Sequence, residues 1–361
     1  MPSCLGISMV SSSPATCANC GGPLERIEEY ALDIAGEDVR FYADRCTSCQ
    51  SEYVNAPDIL RSDEELLAVF RPGTGSIGAY RKIMALASRD PDLRHQLRPR
   101  VGAALLAHLL QEDLADVVFL AQQGVSEEPV MAFTKADLFR AGEIRMGPGR
   151  SVFTGSGLRA NLLTLAQLKQ FVETDRGLNP RIAVVGRPCQ IYTMRKLRWD
   201  RFAPGYELVF ALGTYCYGNF SAAAWGGRKL RGLIGFDPAE IRHVEFVGEE
   251  LRFTSAGGVQ SKVGQDEVAG LVNPNCLQCY DFAASFSDVS VGLVGPDELF
   301  ETAVIRTDRG ERIVDQAIRD GVLMTSGQYY GGTGSQADER LMERYLEAMV
   351  EIKRGLTRKL R

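Results

Sequence analysis

Two short apolar runs in the second half of the chain each end in Gly-x-x-Cys. Ile182-Ala-Val-Val-Gly186 leads through Arg187 and Pro188 to Cys189, and Leu208-Val-Phe-Ala-Leu-Gly213 leads through Thr214 and Tyr215 to Cys216. A short apolar run closed by Gly reads as a buried strand of a parallel sheet. Two such strands put both thiols at the carboxyl edge of one sheet, where open α/β folds keep their sites. Downstream, Asn273-Pro274 marks a turn, and Cys276 and Cys279 follow as Cys-x-x-Cys. Two single thiols and one Cys-x-x-Cys supply the four thiolates that a cubane iron–sulfur cluster takes. The competing reading keeps Cys189 and Cys216 as buried core thiols and leaves any metal to the Cys-x-x-Cys alone.

The hydrophobic periodicity predicts an α/β fold, a mixed sheet flanked by helices, with a small zinc-ribbon-like domain at the N-terminus. Helices are expected over 101–110, 161–172, 191–199, 220–233, 312–318 and 338–352. Strands are expected over 117–121, 182–185, 208–212 and 289–294, with short β pieces over 241–263. The division that follows is 1–56 for the ribbon, 57–98 for a helical connector, 99–330 for the α/β domain and 331–361 for a C-terminal helix. The connector opens on a capping box, Ser62-Asp-Glu-Glu65, ahead of Leu66 and Leu67. Within it, Gly73-Thr-Gly75-Ser-Ile-Gly78 has the letters of a dinucleotide fingerprint. It follows a helix-like run rather than a strand, so it reads as a connector before a phosphate loop.

Five cysteines remain. Cys17 and Cys20 form one Cys-x-x-Cys and Cys46 and Cys49 another, with strand-like stretches between them, and Cys4 is left over. Two such knuckles joined by a short β segment read as a tetrahedral Cys4 zinc site; a rubredoxin-like iron site and a redox pair are the alternatives. The start of the chain carries no positive n-region and long apolar h-region, so Cys-x-x-Cys spacing points to metal rather than disulfides and to a reducing, cytoplasmic compartment. The longest apolar stretch, Val101 to Leu110, is too short to span a bilayer. A net charge of -5 and a pI near 5.5 give no basic footprint for nucleic acid.

Three further segments carry candidate chemistry. The Gly-rich run from Gly147 to Arg159 lets backbone approach an anion, with Arg150 and Arg159 able to pair with phosphate; a surface loop is the alternative. Arg195, Lys196 and Arg198 follow Cys189 and suit either an anionic cofactor or a solvated basic face. Asp281, two residues past Cys279, is placed to cap the second cysteine loop. The three histidines, His95, His108 and His243, form no set with a nucleophile.

The segments Val184-Val-Gly-Arg-Pro-Cys-Gln190, Gly213-Thr-Tyr-Cys-Tyr-Gly-Asn219 and Cys276-Leu-Gln-Cys-Tyr-Asp281, running into Ser287-Asp-Val-Ser-Val-Gly292, resemble the family of coenzyme F-420 hydrogenase/dehydrogenase beta subunits. The likeness covers about residues 95 to 300. It implies an oxidoreductase subunit, an FAD flavoprotein with one 4Fe–4S cluster that exchanges electrons with coenzyme F-420. It implies Cys189, Cys216, Cys276 and Cys279 as cluster ligands and puts Arg150, Ser151, Thr154, Gly155, Asn161, Gly186, Pro188 and Asn219 at the flavin. The partners implied are larger hydrogenase or dehydrogenase subunits, or ferredoxin, with the deazaflavin as substrate. Two departures stand out. Arg100-Val-Gly102 replaces the family's Gly-Gly, and the N-terminal cysteines replace its extra ferredoxin-type cysteines. A ferredoxin-dependent flavin reductase on the same scaffold, and a non-enzymatic interaction protein organised by zinc, are the rival readings.

Overall fold

The structure, a computed structural model, describes residues 9–10, 16–17, 21–34, 37–48, 52–55, 61, 63–70, 76–90, 101–120, 130–138, 153–154, 168, 171, 174, 179–202, 205–220, 228–247, 250–264, 266–267, 271–272, 276, 279, 281–292, 294, 299–330 and 336–358. At its centre is an eight-stranded mixed sheet. Four strands run parallel in chain order across it: Val117–Leu120, Arg181–Gly186, Glu207–Thr214 and Val289–Gly292. Antiparallel strands extend both sides. Val130–Ala132 closes one edge, and Glu301–Ile305, Lys82–Ser88 and Leu323–Thr325 build out the other.

Strand alternation sorts the core into two layers. Leu86, Ala303 and Ile305 face the helices Val101–Gln111 and Asp308–Arg319, together with Val185, Leu212 and Val291. Ile83 and Val304 face the opposite way, onto the helices Arg228–Ile234 and Gln336–Arg358 and a three-stranded antiparallel sheet, Ile241–Val247, Glu250–Ser255 and Gln260–Gly264. The helix Val101–Gln111 lies so close to the sheet that a side chain at Gly102 would stand 3.1 Å from Leu212 Cδ2. Its first amide, Val101 N, donates to the buried Glu301 carboxylate at 2.7 Å, which serves the helix N-terminus from the sheet.

The α/β class and the mixed sheet are as the sequence predicts. The N-terminal half of that prediction holds less well. Lys82–Ser88 lies inside the segment expected to be a helical connector, yet it is a central member of the sheet. Its residues, Lys-Ile-Met-Ala-Leu-Ala-Ser, are mostly good helix formers, and pairing with Glu301–Ile305 overrides that preference. The helix expected from Ile191 begins three residues earlier, at Pro188, because Pro suits a first helical position. Most of the helix expected over 161–172 lies outside the described residues. Towards the N-terminus, the hairpin Leu24–Ile34 and Glu37–Cys46 joins Glu52–Asn55 and Met9–Val10 in a four-stranded sheet.

One buried carboxylate ties the central elements together. Asp288 Oδ2 accepts from Ala211 N at 2.8 Å and from Arg195 Nη2 at 2.6 Å, while Oδ1 accepts from Thr307 Oγ1 at 2.7 Å. It thereby links the strand Glu207–Thr214, the helix Pro188–Lys196 and the start of the helix Asp308–Arg319. Removing one member of such a buried pair leaves the other uncompensated, so Asp288→Ala is expected to cost about 3–5 kcal/mol. The exposed pair of Glu65 with Arg198 is worth about 0–1 kcal/mol by comparison. Urea unfolding checks both: the midpoint falls sharply for Asp288→Ala and barely for Glu65→Ala, with the slope unchanged.

Candidate functional site

The parallel pair Arg181–Gly186 and Glu207–Thr214 is in register at its far end, Gly213 opposite Gly186. Each Gly-x-x-Cys therefore leaves the sheet at the same carboxyl edge. Cys189 falls in the first turn of the helix Pro188–Lys196, its carbonyl accepting from Thr193 Oγ1 at 3.0 Å. Cys216 stays on extended backbone and donates its amide to Phe282 O at 3.0 Å. From Phe282 the chain runs back along the strand as far as Asp288, whose amide reaches Ala211 O at 2.8 Å. That return path carries the Cys-x-x-Cys loop to the same edge. A side chain at Gly218 would meet Val272 Cγ1 at 3.1 Å and Cys276 Cβ at 3.5 Å, so the Cys216 strand end lies on the Cys276 loop. Cys279 N closes a turn onto Cys276 O at 3.2 Å.

The four thiols share one neighbourhood. Cys216 and Cys279 are buried, and Cys189 and Cys276 are half-buried. Burial pushes the Cys189 thiol up to about 12, against the pull of the Arg187 guanidinium, with Cys216 and Cys279 adding to the rise. Burial raises Cys216 too, opposed by Lys353 and Arg187. As free thiols both stay protonated at neutral pH, so a ligand that takes them as thiolates displaces protons. Among the described residues, no three His, Cys, Asp or Glu side chains converge as a single-ion shell.

Lys353 was not among the sequence candidates. It sits on the helix Gln336–Arg358, 3 % exposed, and its ammonium donates to Cys216 O at 2.9 Å, Asp281 O at 2.7 Å and Cys279 Sγ at 3.6 Å. Burial works against its charge, but Cys279, Cys216, Asp281 and Cys276 outweigh that and hold its pKa above the ordinary lysine value. The signal that could have found it is its position on the buried stripe of Met342, Leu346 and Val350.

The remaining candidates divide. Gly186 packs under Gln190, whose Cβ lies 2.9 Å from where a glycine side chain would start. Pro188 opens the helix, and Gln190 Oε1 accepts from Arg187 N at 2.9 Å and from Arg187 Nε at 3.2 Å. Gln190 Nε2 is buried with no hydrogen-bond partner among the described residues. Thr154 and Asn219 lie on two short strands, Phe153–Thr154 and Asn219–Phe220, that pair in parallel. The Gly-rich segment and the end of the Cys216 segment are thus joined through backbone. Arg150, Ser151, Gly155 and Asn161 lie outside the described residues, as do Cys20 and Cys49. Cys17 and Cys46 are buried against each other, and Gly21 N donates to Cys17 O at 2.8 Å in a tight knuckle.

Arg195 is not available to an anionic cofactor, because it is bound to Asp288 and Phe286 O and lies over the Phe70 ring. Arg198 is held by Glu65, and Lys196 is buried over the Tyr192 ring. The Asp281 carboxylate accepts from Ser285 N and Ser285 Oγ, a loop-capping role as expected. His108 is a core residue, its Nε2 3.8 Å from Asp320 Oδ2.

Residues 179–328 match the family described as the C terminus of the coenzyme F420 hydrogenase/dehydrogenase beta subunit. The chain is a relative of those beta subunits. The matched segment contains Cys189, Cys216, Cys276 and Cys279; Lys353 lies beyond it. The chain is 25% identical over 260 residues to the beta subunit of coenzyme F420 hydrogenase from Methanothermobacter thermautotrophicus, covering 69% of this chain and 85% of that one. It is 23% identical over 263 residues to the protein of the same name from Methanosarcina barkeri, covering 69% of this chain and 82% of that one. The fold is similar to a chain of the F420-reducing [NiFe] hydrogenase complex from Methanosarcina barkeri, with a TM-score of 0.62, 20% identity and coverage of 79% of this chain and 92% of that one. No helix among the described residues is long and apolar enough to cross a membrane.

Gln190 holds the first turn that carries Cys189. Gln190→Ala leaves the buried Arg187 amide without its acceptor and is expected to cost about 1–3 kcal/mol. Thermal unfolding of the variant reads the loss, and an unchanged melting temperature contradicts the role given to the Oε1 bonds.

Proposed function

We propose that this chain is an oxidoreductase subunit that moves electrons between coenzyme F-420 and a 4Fe–4S cluster by way of a flavin, as part of a larger complex. The observation that carries the reading is the convergence of Cys189, Cys216, Cys276 and Cys279 at one sheet edge, inside the segment that matches the beta subunits. Thiolates from separate loops are the donor set that such a cluster takes. The names of the relatives, which include a coenzyme F420-dependent sulfite reductase, support F-420 as the redox partner.

The protein's own residues supply binding and alignment. Cys216 and Cys279 hold the buried side of the cluster; Cys189 and Cys276 hold the side nearer solvent. The flavin belongs beside this edge, with Thr154 and Asn219 on the paired strands, Gly186 and Pro188 at the helix start, and Arg150, Ser151, Gly155 and Asn161 from the Gly-rich segment. The unpartnered Gln190 amide donor suits the polar edge of such a group. When bound, the flavin exchanges a hydride with the deazaflavin and single electrons with the cluster. Cys17, Cys20, Cys46 and Cys49 hold a structural zinc apart from this chemistry, and the buried Cys17 and Cys46 support that assignment.

The test is Cys216→Ser in anaerobically purified protein. The wild type is expected to reduce F-420 with a one-electron donor, and the variant to keep flavin while losing most of its iron and this activity. Unchanged iron returns Cys216 to the core. Turnover with ferredoxin but not F-420 favours the ferredoxin-dependent reductase, and a colourless wild type favours the zinc-organised interaction protein.

A further inference from the structure

The helix Gln336–Arg358 buries Met342, Leu346 and Val350 at helical spacing, and Lys353 falls on the same stripe. A fully buried lysine is rare unless something compensates its charge. This one is held from several sides. Tyr80 Oη donates to Glu343 at 2.6 Å, Ile83 N donates to Glu339 at 3.2 Å, and Tyr217 Oη donates to Met349 Sδ at 3.0 Å, which fixes the helix against the sheet. Those contacts leave the ammonium one direction to point. Its three N–H groups meet Cys216 O, Asp281 O and Cys279 Sγ.

Two carbonyl dipoles do not neutralise a buried ammonium. The thiol ligands do so once they are ionised around a cluster, because four thiolates leave the site with net negative charge. That charge grows by one unit on reduction. Arg187 is the other cation that acts on Cys189 and Cys216. Lys353 differs from it in reaching a ligand sulfur directly, and in coming from outside the segment shared with the family.

We propose that Lys353 is a positioning residue of the cluster site, a fixed counter-charge that donates to Cys279 Sγ and raises the cluster's reduction potential. The inference rests on the cluster reading above. Net charge and hydrogen bonds to the sulfurs are the protein's means of setting such a potential. A cation beside the ligands stabilises the more negative, reduced state, so removing it makes the cluster harder to reduce. The same contact makes the C-terminal helix a wall of the redox site.

The test is a redox titration of the purified holoprotein, followed by electron paramagnetic resonance, for wild type, Lys353→Met and Lys353→Arg, each assayed for iron, sulfide and flavin. Lys353→Met is expected to keep its iron and to show at least a tenfold shift toward the oxidised cluster at a fixed potential, about 59 mV for one electron. Lys353→Arg is expected to stay close to wild type. A fully loaded Lys353→Met with an unshifted or raised potential overturns the proposal. If Lys353→Met loses its iron, Lys353→Arg decides: retained iron at the wild-type potential supports a required positive charge. Equal loss of iron in a folded Lys353→Arg reduces Lys353 to a packing residue. A wild type without iron and sulfide overturns the cluster reading itself, an outcome visible before either variant is compared.

Discussion

The in-register pairing of Gly186 with Gly213 determines what the rest of the chain can do. Because the strands are parallel, both segments leave the sheet in the same direction, and the equal Gly-x-x-Cys spacing delivers two thiols to one edge. A slip of one residue would turn every side chain of one strand to the other face and separate the cysteines. The register is held by burial on both faces and by Asp288, which fastens Ala211, Arg195 and Thr307 around the other end of the same strands. The return of the chain from Phe282 to Asp288 then gives the Cys276–Cys279 loop no other edge to occupy.

The sequence made this centre legible because its signal is local: an apolar run, a Gly that ends it, and a Cys at fixed distance. What it hid is long-range. Lys82–Ser88 has a helix former's composition and becomes a strand only because Glu301–Ile305 pairs with it. Glu301 itself reads as a surface residue, yet its carboxylate is buried on the Val101 amide. Arg195 reads as part of a basic face, and its partner Asp288 is 93 residues away in sequence. Lys353 is hidden for the same reason, since its three acceptors come from two other segments.

The N-terminal sheet and the α/β body present two separate cysteine sets. Cys17 and Cys46 meet at the base of a hairpin, whereas Cys189, Cys216, Cys276 and Cys279 meet at the edge of a large sheet beside a fixed cation. The first arrangement suits a metal that shapes a small domain, and the second suits a centre whose charge changes.

The most direct measurement is the flavin, iron, acid-labile sulfide and zinc content of the anaerobically purified chain. The account predicts one flavin, about four iron with matching sulfide and one zinc per chain. Zinc alone, with neither flavin nor iron, would contradict it and leave a folded scaffold whose four inner thiols belong to the core.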